Sequence, residues 1–149
     1  MTSPVPFKVD IPQSVIDGIL AKVRQYEWHE MPIIDDGGDR WAYGTDMAYL
    51  KELCEYWTHH YDWRAFETKL NAFPQFKTEI DGQEIHFLHV KGSGANPQPV
   101  LLTHGWPGSV LEFYDVIEPL AHPEKFGGNA EDGLTLIVPS LPGYGFSGK

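Results

Sequence analysis

Near Phe76 the apolar periodicity of this chain changes from helical to alternating, and that change restricts the fold more than any other feature. Phe76, Thr78 and Ile80 alternate, Asp81-Gly82 is the two-residue signal of a type I′ hairpin, and Ile85, Phe87 and Val90 lie on the returning strand. Lys91 to Pro99 reads as a turn-rich connection and Val100 to Thr103 as a short apolar strand. Ser109 and Glu112 then form an S-x-x-E capping box, with Val110, Phe113, Tyr114, Ile117 and Leu120 on one helical face, so a helix is expected to start at Ser109. Leu134 to Val138 is a further apolar strand, again followed by Pro and Gly. An antiparallel pair that passes into a strand, helix, strand unit predicts a mixed sheet becoming parallel, hence an α/β fold.

Ahead of the switch the pattern is helical. Pro4, Pro6 and Pro12 forbid a helix over residues 1 to 13, which should form an extended arm. Val15, Ile16, Ile19, Leu20 and Val23 repeat at helical spacing, with Ser14 expected as N-cap. Met31 to Gly44 reads as a loop, Met47, Leu50, Leu53, Cys54 and Trp57 mark a second amphipathic helix, and Asp62 should cap a third carrying Trp63, Phe66 and Leu70. The expected organisation is a helical region over 1–72 and an incomplete core of first strands and one helix over 73–149.

Composition excludes several classes. Forty-two per cent hydrophobic residues suffice for a packed core, while eleven Lys and Arg against twenty-one Asp and Glu give a net charge of -10, which repels phosphate backbones and anionic lipid. No nucleic-acid or membrane partner is therefore expected. The single cysteine, Cys54, has no second Cys for a disulfide, and Met1 to Asp10 lacks a signal-peptide core, so a cytoplasmic protein is expected. No metal is expected either. His86 and His89 stand three apart on a strand and point to opposite faces, His59-His60 sits at a helix end, and Asp35, Asp36 and Asp39 read as solvated loop acids, one of them a partner for Arg40.

The string that bears on chemistry is Leu101-Leu102-Thr103-His104-Gly105-Trp106-Pro107-Gly108-Ser109. Glycines on both sides of Trp106-Pro107 let a backbone N–H face a ligand, and the helix start behind adds partial positive charge, which suits a developing oxyanion. Read from the residues alone, this and mere turn chemistry both stay open. Gly143-Tyr144-Gly145-Phe146-Ser147-Gly148 spells G-x-G-x-x-G, but prolines separate it from the strand and no acidic residue follows, so no dinucleotide site is expected and Ser147 is read as structural.

His104-Gly105-Trp106-Pro107-Gly108-Ser109 resembles the oxyanion loop of α/β-hydrolases in the variant typical of microsomal-type epoxide hydrolases. Pro139 to Ser147, Arg40-Trp41 with Gly44, Tyr56-Trp57, Tyr61-Asp62-Trp63-Arg64, Leu70-Asn71 with Phe73 and Phe76, and Asp81-Gly82 with Ile85 to Val90 resemble other strings of that family in the same order. The resemblance implies the N-terminal half of an α/β-hydrolase core sheet preceded by a helical region. It implies conversion of an epoxide to a diol through an ester on an Asp nucleophile, with two lid tyrosines on the epoxide oxygen and a His that activates water.

Within this sequence the resemblance assigns the Trp106 backbone N–H to the oxyanion hole, His104, Gly105, Pro107 and Gly108 to the shape of the loop, and the Trp106 indole to the substrate pocket. It also implies a cis Trp106-Pro107 bond. Nucleophile, lid and His would lie beyond Lys149, so none is assigned here, and a complementary C-terminal chain is an expected partner. Lys149 after a Gly-rich loop suggests tryptic nicking, truncation or a split gene. A small hydrophobic epoxide is the expected substrate, no cofactor is expected, and a homo-oligomer is compatible with this reading. Another α/β-hydrolase reaction, ester hydrolysis or dehalogenation, and a non-catalytic binding protein of the same fold are the alternatives.

The apolar stripes of the N-terminal helices are too narrow to bury one another fully, so this region is expected to pack on the core. Limited proteolysis should therefore not release a stable folded core lacking residues 1 to 71, and its release would contradict the expectation.

Overall fold

The computed structural model describes residues 2–30 and 39–149. Two compact units are present, residues 10–66 in one and the segment through Val9 with residues 67–149 in the other. This is not the expected division into 1–72 and 73–149. The expected extended arm supplies a short strand, β1 (Val5–Phe7), to the sheet of the second unit. Asn71 holds the chain there through both of its side-chain atoms, accepting from the Val9 N–H at 2.9 Å and donating to the Val9 carbonyl at 2.8 Å.

The unit of residues 10–66 contains α1 (Gln13–Arg24) and α2 (Met47–His59). Helix α1 starts two residues earlier than expected, with Pro12 rather than Ser14 at the cap position and no side-chain cap bond. The Pro12 carbonyl takes the first helical bonds, and Gln13 donates to Asp17 at 2.9 Å across the first turn. Helix α2 begins where Asp46 accepts from the Tyr49 N–H at 2.9 Å, an Asx cap that satisfies an otherwise orphaned donor. Arg24 ties the helices together by donating to the Thr58 carbonyl at 3.1 Å. Of the three acids expected as partners for Arg40, only Asp39 is among the described residues, and the contact shown for Arg40 is to another carboxylate. Its guanidinium meets the Asp46 carboxylate at 2.9 Å, whereas Asp39 caps the turn by accepting from the Trp41 N–H. Asp35 and Asp36, and the part of the expected loop over 31–38, lie outside the described residues.

Helix α3 (Trp63–Leu70) opens on Asp62, which accepts from the Ala65 N–H at 3.1 Å. Strands β2 (Gln75–Ile80) and β3 (Gln83–Val90) follow. Asp81 at φ 52° and Gly82 at φ 82° give the two positive torsions of a type I′ turn, which only such a pair adopts without strain. Strand β4 spans Gln98–Leu101, two residues ahead of the expected Val100 to Thr103. Its pairing begins at Gln98 opposite Leu134, and Pro99 fits because β4 lies at the edge of the sheet, where a missing N–H can face outward.

After β4 the helix expected at Ser109 starts as a 3₁₀ turn, Val110–Phe113, and becomes regular only in α4 (Tyr114–Ala121). Ser109 accepts from the Leu111 N–H at 3.2 Å, two residues on rather than three, which tightens the first turn. Strand β5 (Leu134–Pro139) completes a five-stranded sheet of order β1-β2-β3-β5-β4, with β4 and β5 parallel and the other pairs antiparallel. The inserted β5 separates β3 from β4, and α4 is the crossover between the parallel strands.

One face of β3 and β5 builds the core. Leu88, Val90, Leu136 and Val138 pack with Phe73, Val110, Ile117 and Ala121, and each fully buried aliphatic side chain contributes roughly 1.5–3 kcal/mol. Phe76 and Phe87, on the other face, stack across the hairpin at 5.8 Å. Among the described residues no helix is long and apolar enough to cross a membrane.

Candidate functional site

Strands β4 and β5 run parallel, so the loops leaving their carboxyl ends emerge side by side, at the position where α/β sheets place ligands. The first loop holds the residues assigned from sequence. Leu102 continues the pairing by donating to the Ile137 carbonyl at 2.9 Å, and the chain then turns over Gly105 to Gly108, closed by the Gly108 N–H on the Gly105 carbonyl at 2.7 Å. The Trp106-Pro107 bond at the centre of this turn is cis.

His104 fixes the turn from beneath. It is only 4% exposed, its ring meets Tyr144 edge-on at 5.2 Å, and its Nε2 accepts from the Leu141 N–H at 3.1 Å. A ring nitrogen that accepts carries no proton, so the proton sits on Nδ1, which donates to the Gly105 carbonyl at 3.1 Å. That carbonyl thus accepts from two donors, the imidazole and the Gly108 amide. A planar trans peptide points its C=O and N–H in opposite directions. With the Gly105 carbonyl held, the Trp106 N–H faces away from both donors, and among the described residues it has no acceptor. The Trp106 indole beside it is 84% exposed. Gly108 is close-packed, because a Cβ there would run into the Glu112 carboxylate and lie 3.0 Å from the Gly105 oxygen.

The second loop, Ser140 to Gly148, spends its amides internally. Gly143 N–H donates to the Gly148 carbonyl and Gly148 N–H to the Glu84 carbonyl, both at 2.8 Å. Neither is available to cradle a phosphate. Gly145 has φ 51°, and a Cβ on it would sit 2.6 Å from Ser140 Oγ. The Ser147 hydroxyl accepts from the His86 N–H at 2.9 Å and donates to the Ser140 carbonyl at 2.7 Å, a structural position.

Beneath this loop runs a buried polar chain that alternation alone did not reveal. His86 is fully buried with Phe7 and Phe146 edge-on to its ring, Nε2 lies 2.9 Å from Gln75 Oε1, and Nδ1 lies 2.9 Å from Ser140 Oγ. Gln75 in turn donates to the Leu70 carbonyl and the Asn71 side chain. Burial, reinforced by the charge of Lys77, lowers the imidazole from 6.5 to about 4. His89 on the same strand is exposed on the opposite face. Among the described residues no group of three or more His, Cys, Asp or Glu could hold a metal ion.

Residues 4–113 match the family described as epoxide hydrolase N terminus. The chain belongs to this family. It is 46% identical over 144 residues to a putative epoxide hydrolase of Stigmatella aurantiaca, covering 97% of this chain and 32% of that protein. It is 40% identical over 146 residues to epoxide hydrolase 1 of Oryctolagus cuniculus, covering 95% and 31%. The structure of the Aspergillus niger epoxide hydrolase superposes with a TM-score of 0.84 at 37% identity, covering 99% of this chain and 37% of that one. The mixed sheet is therefore the first part of an α/β-hydrolase core, and the chain spans about a third of the length of these relatives.

The depressed His86 value has a consequence for stability. The folded protein binds fewer protons here than the unfolded chain, so the contribution is complete above pH 6.5 and is lost as pH falls toward 4, a total of about 3 kcal/mol. An NMR titration should place the His86 midpoint near 4, and an ordinary midpoint near 6.5 would contradict the account.

Proposed function

We propose that this chain is the N-terminal portion of an epoxide hydrolase and that the Trp106 N–H is an oxyanion donor in its second chemical step. In this scheme an Asp carboxylate on the remainder of the protein attacks one epoxide carbon. The C–O bond breaks, two tyrosines deliver a proton to the departing oxygen, and a hydroxyalkyl ester forms. A His then takes a proton from water, which adds to the ester carbonyl. The negative charge gathers on the former carbonyl oxygen, and as this species collapses the departing diol oxygen takes the proton from the His while the Asp proton returns to the tyrosinate, which frees the vicinal diol and restores the Asp.

The observation that carries the reading is the outward Trp106 N–H, left without an acceptor among the described residues while two donors hold the carbonyl behind it. A donor fixed before the charge develops costs no reorganisation when it does. His104, Gly105, Pro107 and Gly108 shape the turn that presents it, and the exposed Trp106 indole supplies an apolar surface for a small hydrophobic epoxide. The names of the relatives support the substrate class, and the scheme requires no cofactor.

The test replaces the Trp106 N–H by an ester oxygen, introducing the α-hydroxy analogue of tryptophan by nonsense suppression in the intact protein. With styrene oxide as probe, ester formation should keep its rate while ester hydrolysis slows ~10²–10³-fold, so that intermediate accumulates in a single turnover. Hydrolysis at the parent rate would overturn the assignment.

A further inference from the structure

Ser140 is the first residue after β5, it is buried, and each of its polar groups has a partner. Its N–H donates to the His86 carbonyl at 2.8 Å, its hydroxyl meets His86 Nδ1 at 2.9 Å, and its carbonyl accepts from the Ser147 hydroxyl at 2.7 Å. The direction of the hydroxyl bond follows from the far side of the ring. Gln75 uses its amide nitrogen on the Leu70 carbonyl and the Asn71 side-chain oxygen, which leaves Oε1 toward His86 as an acceptor. His86 therefore carries its proton on Nε2, its Nδ1 is bare, and the Ser140 hydroxyl donates to it.

The amide after Ser140 belongs to Leu141, and it is the group that donates to His104 Nε2 at 3.1 Å. That bond decides which nitrogen of His104 is bare. With Nε2 accepting, the proton must sit on Nδ1, the one form that can donate to the Gly105 carbonyl. The opposite tautomer would place a proton on Nε2 facing the Leu141 N–H, and would leave the Gly105 oxygen facing a lone pair. The two buried histidines are thus held in opposite tautomers, and Ser140-Leu141 joins them.

We propose that Ser140 is a positioning residue for the Trp106 amide: held at three points, it aims the Leu141 N–H at His104 and so selects the tautomer that locks the Gly105-Trp106 peptide. The proposal rests on the reading of Trp106 as an oxyanion donor, and it adds a requirement that reading does not contain. Ser140 contacts no substrate in this scheme. Its influence reaches the chemistry through the orientation of one peptide plane, and misplacement of a reacting group by about 1 Å costs on the order of 100-fold in rate.

Two measurements on the intact enzyme test it. Nitrogen NMR of histidine-labelled protein should find His104 in the Nδ1–H form, and the Nε2–H form in the parent protein would overturn the proposal before any variant is made. In Ser140→Ala the Nδ1–H form should lose its dominance, and single-turnover hydrolysis of the styrene oxide ester should slow about 10- to 100-fold while ester formation keeps its rate. A general loss of folding would slow both half-reactions together, and that result would overturn the positioning role, as would an unchanged tautomer with unchanged hydrolysis. If Ser140→Ala hydrolyses at the parent rate and the Trp106 ester-oxygen variant is slow, the positioning role falls and the oxyanion reading stands. If both hydrolyse at the parent rate, the oxyanion reading has failed and this proposal falls with it.

Discussion

A peptide group is rigid, so holding its carbonyl determines where its N–H points, and in this protein the Gly105 carbonyl is held twice. One donor is local, the Gly108 amide three residues on, and would be present in any closed turn. The other is His104, and it links the turn to the rest of the sheet because its second nitrogen is occupied by Leu141 on the neighbouring loop. Remove that link and the turn can still close, but nothing determines the tilt of its first peptide plane. The direction of the Trp106 N–H is therefore a property of two loops together.

Those loops meet because of the strand order. Inserting β5 between β3 and β4 makes β4 and β5 parallel neighbours, so their carboxyl ends lie at the same end of the sheet. The same insertion places β5 against β3, and His86 on β3 reaches Ser140 just past the end of β5. A polar chain from Leu70 and Asn71 through Gln75 and His86 to Ser140 thus runs under the loop that positions Leu141. Inside a low-dielectric interior such a chain is worth having only when every member is satisfied. Among the described residues no buried side-chain nitrogen or oxygen lacks a partner.

Elements whose determinants are local were legible in the sequence. Asp81-Gly82 fixes the hairpin through its own torsions, and Asp62 caps its helix through a bond three residues long. The turn that follows β4 was legible from the string His104 to Ser109. What escaped depends on distant partners. Strand β1 is three residues with Pro6 at its centre, too short to show a period, and exists because β2 offers an edge. Ser14 has the chemistry of a cap, yet Pro12 and Gln13 start the helix two residues sooner. The alternation of β3 showed that His86 and His89 face opposite ways, but not that the His86 side is the buried one. Its partners Gln75 and Ser140 lie 11 and 54 residues away, a pairing that no local pattern carries.

The central claim is that a doubly held carbonyl turns the Trp106 N–H toward the oxygen on which charge gathers. A crystal structure of the intact protein with its ester intermediate trapped, by removal of the base that activates water, examines that directly. The account predicts the ester carbonyl oxygen about 2.7–3.1 Å from the Trp106 nitrogen, with His104 Nδ1 and the Gly108 amide still on the Gly105 carbonyl. An ester carbonyl directed elsewhere, or a Trp106 N–H bonded to another group of the protein, would contradict it.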